Sequence, residues 1–412
     1  MGDFSEFRQH WRPLLAAFLG MGSALSLNSY ILSTFAPYLI DEFGWTRSQW
    51  AMLGIVQILV MVCLPIAGRL TDIFGVRPVA AVGALSFPVF LVAIATMNGN
   101  IYLYLAIYTS QTIICSTTTA TVYSRLVAEA FSVKRGLALA ICGSSPPVVG
   151  ALGAPLVTAF VESQGWRSGY LAVAVFCAIC AALMLMLIPR QPKPERKSSG
   201  ATPDAAAEHK PVGVYAKIFA MPVFWIMLCA TFLVNMPFTL ATSHLKLVVL
   251  EQGLDDSTAA VLVSIFAVGS IIGRVLSGAA LDYLPANIIA AIVFGLPFAG
   301  LLLLASPFDS AAIVTVAILL VGLSFGGEGD IIPYLVTKYF GISVYSTVLG
   351  LLSAAMGSAM AAGNIILVFT LDTTGGFTLY LLAAAAGAFI GSAMFLLIGH
   401  SRFRTENRAI AA

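Results

Sequence analysis

The sequence predicts an all-α polytopic membrane protein, with twelve transmembrane helices arranged as two pseudo-symmetric six-helix bundles. Three observations carry this prediction. Of 412 residues, 59% are hydrophobic and only 10% charged, whereas soluble domains carry about 25% charged residues. A bilayer-spanning helix needs about 20 mostly apolar residues, and runs of that kind recur twelve times. Short motifs of the first half return in the second at a nearly constant offset. A β-barrel would instead show short alternating strands.

Taken in order, the runs cover residues 13–40, 48–67, 77–97, 100–127, 136–161 and 169–189 in the first half. Those of the second half cover 218–245, 257–280, 287–305, 310–336, 343–369 and 376–399. They are rich in Gly, Ala and Ser, which lets helices approach closely in lipid. The first run is too long for a cleavable signal and leads straight into further spans, so it is expected to remain as a helix. Residues 1–189 form the first bundle and 218–412 the second. Between them, 190–217 (RQPKPERKSSGATPDAAAEHKPVGVYAK) has the Pro, Ser, Ala and mixed charge of a flexible cytoplasmic linker.

The net charge of +2 says little, but its distribution is one-sided. An even number of spans puts both termini on one face. On that face lie 17 of the 21 basic residues, including Arg8, Arg12, Arg69, Arg77, Lys134, Arg135 and Lys338. Only Arg47, Arg167 and Lys246 lie opposite, and Arg274 falls inside a span. The positive-inside rule therefore places both termini in the cytoplasm. A bacterial inner membrane is the expected location.

Several function classes are disfavoured. No G-x-x-x-x-G-K-[ST] loop is present, so direct drive by ATP is not expected. His10, His209, His244 and His400 are dispersed, which argues against an enzyme, a metal or any cofactor. No basic module suggests nucleic acid. Cys177-x-x-Cys180 has redox or metal spacing, but its apolar surroundings favour packing. The partners expected are the bilayer and a small solute, with a monomer as the functional unit.

The halves echo one another. Gly68-x-x-x-Asp72 and Gly278-x-x-x-Asp282 are offset by 210, and Phe131 and Phe340 by 209. Such duplication places a site between bundles near the membrane midplane, reached alternately from either side. In Gly68-Arg-Leu-Thr-Asp72-Ile-Phe-Gly75-Val-Arg77, the glycines permit a tight turn or close approach. Asp72 can accept from exposed amides at a helix start, and Arg77 adds a cytoplasmic anchor. The stretch resembles the loop signature of the major facilitator superfamily. That resemblance implies gating roles for Gly68, Asp72, Gly75 and Arg77; the alternative is a charged turn. The second copy departs from the pattern, since Tyr-Leu-Pro-Ala-Asn follows Asp282.

Phe131-Ser-Val-Lys134-Arg135-Gly136-Leu-Ala-Leu-Ala140 resembles the basic start of the fifth helix in the monocarboxylate transporter family and the related oxalate–formate antiporters. Gly-Trp-Arg at 165–167 fits as well. The resemblance spans essentially the whole chain and adds Lys134 and Arg135 to the gating candidates.

Arg274 is the clearest anomaly. Eight residues at about 1.5 Å each place it about 12 Å from Asp282 along the helix, well inside the hydrocarbon. Its repeat counterpart is Leu64, so the scaffold does not require a charge there. A guanidinium matches a carboxylate bidentately, and the resemblance implies that this arginine binds the substrate carboxylate. Ser270, Met356, Asn28 and Ser29 stand where relatives carry further charges. One buried cation suggests one carboxylate on the substrate.

The tenth run supplies acids in Gly326-Gly-Glu328-Gly-Asp330-Ile-Ile-Pro-Tyr334. Its glycines and proline predict a locally irregular helix. Burial beside a like charge favours a protonated carboxyl, as a coupling group requires. The alternative is static pairing of Glu328 or Asp330 with Arg274 or Arg125. His244, at the outer end of the seventh span, is either a proton relay or an interfacial side chain. Thr117, Thr118 and Thr121 line a substrate cavity or bond their own helix. Asn235, beside Pro237, marks a hinge with a polar contact to substrate. Together these features predict a secondary transporter of an organic monocarboxylate, coupled to H+ as a symporter. An organic-anion antiporter or an exporter of amphipathic compounds is the alternative.

Overall fold

The computed structural model describes residues 5–46, 49, 53–189, 211–238, 240, 244–307 and 310–398. All regular structure among the described residues is helical. Lipid offers no partner to a free N–H or C=O, so a spanning segment must satisfy its backbone internally. Eight helices among the described residues are long and apolar enough to cross a membrane. They include Val76–Ala95, Trp166–Leu187, Ala286–Leu304, Ala311–Phe340, Tyr345–Thr374 and Thr378–Ile398.

Other expected spans are interrupted, and local chemistry explains where. The first halts after Trp11–Gly22 and restarts as Leu25–Phe43. The fourth runs as Ile101–Cys115, tightens into a 3₁₀ turn at Ser116–Thr118, and resumes as Ala120–Ala130. Four consecutive hydroxyl residues compete for the helix backbone there. Ser116, Thr117, Thr118 and Thr119 each donate to the carbonyl three residues earlier, at 2.6–2.9 Å. The two interruptions then support each other, because the Leu25 N–H donates to Thr118 Oγ1 at 3.3 Å. The fifth span divides into Arg135–Gly143 and Ser145–Gln164, and the Ser145 hydroxyl donates to the Phe18 carbonyl.

The chain divides into two compact units. One comprises residues 1–191 with 342–354, the other 192–341 with 355–412. In the first unit Phe35 stacks on Tyr170 with ring centres 3.9 Å apart, and Trp45 Nε1 donates to the Gly99 carbonyl at 2.8 Å. Cys177 belongs to this buried apolar cluster, and both Cys177 and Cys180 are buried free thiols. In the second unit Leu240, Val248, Ile318, Leu367 and Tyr380 belong to one buried cluster.

Two expectations need correction. Residues 190–210 lie outside the described residues, but 211–217 are helical, within Pro211–Ala220. The apolar Val214-Tyr-Ala-Lys-Ile-Phe stretch favours a helix, with Tyr215 and Phe219 one turn apart at 6.1 Å. The tenth span is not locally irregular, for Ala311–Phe340 is one continuous helix. Its glycines serve packing instead. A Cβ on Gly322 or Gly326 would overlap the carbonyl of Phe266 or Ser270, and one on Gly273 that of Leu323. The helix Asp256–Leu281 therefore lies backbone to backbone against Ala311–Phe340.

Candidate functional site

That close approach positions the charged groups of the second unit. Arg274 leaves the helix Asp256–Leu281 with its guanidinium over the Cα of Gly329, where a Cβ would meet Nη1 and Nη2 at 3.4 Å. A side chain larger than Gly at 329 would crowd the guanidinium. The acids flank this glycine on the facing helix. Asp330 is fully buried and Glu328 is 7% exposed, while the Arg274 side chain is 16% exposed. Arg274 Nη1 stands 3.7 Å from Asp330 Oδ1, an ion-pair distance too long for a hydrogen bond. Neither Asp330 oxygen, nor Glu328 Oε1, has a hydrogen-bond partner among the described residues. The Asn235 side chain neighbours Glu328 and donates to the Thr231 carbonyl at 2.8 Å.

One cation thus stands beside two acids whose lone pairs are largely unused. An apolar site penalises the charged form of such a carboxyl. The arrangement can exchange partners: an incoming carboxylate competes for the guanidinium, and a proton offsets the acid thereby released. Arg274, Glu328, Asp330 and Asn235 are brought together.

The gating candidates lie in the first unit. Asp72, with its side chain 1% exposed, pairs with Arg125, and Arg125 Nε meets Glu129 Oε1 at 2.6 Å. The acids that engage Arg125 are thus those of its own unit. The Asp72 carboxylate also accepts from the Ser346 and Thr347 N–H groups at 3.1 and 2.7 Å, and from Thr347 Oγ1 at 2.6 Å. These amides open the helix Tyr345–Thr374, where orphan donors and the dipole favour an anion. Gly68 permits the approach, since a Cβ there would overlap the Ser346 carbonyl. Gly75 turns the chain at φ +84°, a value that L side chains rarely adopt. Arg77 Nη1 donates to the Ile188 carbonyl at 3.4 Å. Lys134 is buried, and Arg135 Nε donates to the Phe131 carbonyl at 2.8 Å.

The remaining candidates stand elsewhere. Thr117 and Thr118 spend their donors on their own helix, and Thr121 is buried near Gly68. Asn28 is buried in the first unit, and the side chain of Ser29 lies outside the described residues. His244 opens the helix Leu245–Glu251 with its ring 6.4 Å from Phe377, and no hydrogen bond or ion pair among the described residues joins it to Glu328 or Asp330. Sequence reasoning missed Gln111, fully buried with both amide atoms lacking a hydrogen-bond partner among the described residues. Its signal was a lone amide in the apolar run IYLYLAIYTSQTIIC.

A family model described as Major Facilitator Superfamily matches residues 17–364. Among curated proteins, monocarboxylate transporter 13 of Bos taurus is 24% identical, over 95% of this chain and 89% of that one. Monocarboxylate transporter 10 of Homo sapiens is 25% identical, over 96% and 79%. Against monocarboxylate transporter 4 of Rattus norvegicus the match is 24% identical over 65% of this chain and spans only 56% of that protein. Among solved structures, the transporter FucP in its outward conformation superposes with a TM-score of 0.72 at 14% identity, covering 96% of this chain and 100% of that one. The proton:xylose symporter XylE gives 0.68 at 15% identity, covering 96% and 95%.

Proposed function

This chain belongs to the major facilitator superfamily, and from that premise we propose that it carries an organic monocarboxylate together with a proton by alternating access. It is an integral membrane transporter. The finer reading rests on one observation: Arg274 lies within a span, 3.7 Å from an Asp330 carboxyl that has no hydrogen-bond partner among the described residues.

In this reading Arg274 receives the substrate carboxylate bidentately. Substrate draws the guanidinium from Asp330, and the acid takes up a proton as its counter-ion is shared. Binding of proton and anion then reinforce each other, as reciprocal linkage requires. Asn235 holds Glu328 in place and offers an amide to the substrate. A single cation accommodates one carboxylate and leaves a second uncompensated. The curated relatives named as monocarboxylate transporters support the substrate class, and the proton:xylose symporter XylE supports proton coupling within this fold. Asp72, capping the start of Tyr345–Thr374, is the latch released when the cytoplasmic side opens. A cytoplasmic location of both termini follows from the positive residues, and a bacterial inner membrane is the proposed setting.

The Arg274–Asp330 contact equally supports exchange of two organic anions around fixed acids. Counterflow in proteoliposomes tests the substrate assignment separately from coupling. Labelled monocarboxylates should exchange, while the matching amides and dicarboxylates should not. Exchange of the neutral amide at the rate of the acid would remove Arg274 from substrate recognition.

A further inference from the structure

A charged cavity of about 310 Å³ lies wholly within the first unit, apart from the residues given to substrate and proton above. That volume is at the small end of ligand pockets. Arg12, Arg77, His10 and Glu129 line it, with Leu126 and Ile188 on its apolar side. Arg12 is the second residue of the helix Trp11–Gly22, and Arg77 the second of Val76–Ala95; a proline follows each. The first turn of a helix is the unfavourable end for a cation. Two guanidiniums placed there, on helices that share one cavity, build a positive potential that an anion relieves.

The surroundings do not already supply that anion. Glu129 is engaged by Arg125 at 2.6 Å. Among the described residues neither Arg12 nor Arg77 forms an ion pair; Arg77 has its 3.4 Å bond to the Ile188 carbonyl, and Arg12 lies 5.7 Å from the Trp11 ring centre. Trp11 is 48% exposed, as interfacial tryptophans are. The basic face to which Arg12 and Arg77 belong meets the leaflet that carries anionic lipid.

We propose that this cavity binds a phosphodiester, that of an acidic phospholipid headgroup, with Arg12 and Arg77 as its two ligands. Guanidiniums suit phosphate oxygens bidentately. Leu126 and Ile188 receive the glycerol and the first methylenes, and the acyl chains lie outside. Because Ile188 ends the sixth span, an occupant also fixes the point where the chain leaves the first unit.

The test uses the full-length protein in a neutral detergent, with native mass spectrometry and thermal melting as readouts. Phosphatidylglycerol, phosphatidylcholine with the same chains, and inorganic phosphate are added separately. Phosphatidylglycerol should be retained as one copy and raise the melting temperature, and phosphatidylcholine should do neither. Arg12→Gln with Arg77→Gln should cut phosphatidylglycerol retention roughly tenfold or more and abolish its thermal shift, while melting in phosphatidylcholine remains cooperative. Should the double variant fail to fold, Arg12→Gln alone is read the same way. A shift reproduced by inorganic phosphate would keep the phosphate site but overturn the lipid as its source. Equal retention of both lipids, or an undiminished preference in a folded variant, would overturn the proposal.

Discussion

Replacing Arg274 by Lys keeps the charge but loses the planar fork that meets two carboxylate oxygens at once. Substrate affinity should therefore fall in Arg274→Lys by roughly tenfold, one bidentate contact being worth about 1.4 kcal/mol or more. Melting temperature should change little, because the ammonium can still stand near Asp330. Arg274→Ala should bind worse still and also lose stability, since removing one partner of a buried pair strands the other. Unchanged affinity in both variants, measured by substrate-induced thermal shift, would contradict the role given to this arginine. The acids are tested differently. Glu328→Gln and Asp330→Asn should each retain exchange of labelled substrate, and the one that carries the proton should lose accumulation. If both still accumulate substrate, the acids are structural. Arg274 was legible as an anomaly because a charge breaks an apolar run in one half and not in the other. Its geometry was not, since sequence spacing alone puts Glu328 and Asp330 on different directions of a helix. Gly329, by leaving room for the guanidinium, lets Arg274 stand 3.7 Å from Asp330.

Helix contacts carry the next level. Gly326 sits where a Cβ would overlap the Ser270 carbonyl, whereas a Cβ on Gly153 would meet nothing within 4 Å. Gly326→Ala should therefore destabilise by about 1–3 kcal/mol through overpacking, and Gly153→Ala should be neutral or stabilise by a few tenths. Melting curves of the two variants decide this; an equal effect would deny the packing role. Another element, the helix Ser5–Gln9, holds the loop before Arg135–Gly143. Glu6 accepts from the N–H groups of Ser132 and Lys134 at 2.7 and 2.8 Å. Partial burial pushes the Glu6 carboxyl up, but the Ser132, Lys134 and Val133 amides outweigh it and hold the group below its ordinary value of 4.5. A depressed folded value means stabilisation present above about 4.5 and lost as pH falls through the folded value. Protection factors at Ser132–Lys134, taken against the intrinsic exchange rate at each pH, should thus be high at pH 7, fall under acid, and be low in Glu6→Gln at both. Protection indifferent to Glu6→Gln would exclude the strap. The spans were readable as elements because twenty apolar residues leave little choice but a helix. The hydroxyls of Thr117 and Thr118 were legible as able to bond their own helix, but the break at Ser116–Thr118 was not, since Leu25, which donates to Thr118 Oγ1, lies 93 residues away.

At the scale of the whole molecule, the sequence repeat predicts a division after residue 189, whereas the two compact units of the chain assign residues 342–354 to the first. This short segment belongs to the first unit although it opens a helix of the second half. Periodicity cannot reveal that, because the assignment depends on Asp72 meeting the Ser346 and Thr347 amides more than 270 residues away. Family membership fixes transport as the activity, and the charged trio of Arg274, Glu328 and Asp330 turns transport into a claim about coupling. The most direct measurement is uptake of a labelled monocarboxylate into proteoliposomes of the wild-type protein with an inside-alkaline pH gradient. The account predicts transient accumulation above the external concentration that collapses when a protonophore is added. Uptake that rises only to equilibrium, identical with and without the gradient, would contradict it.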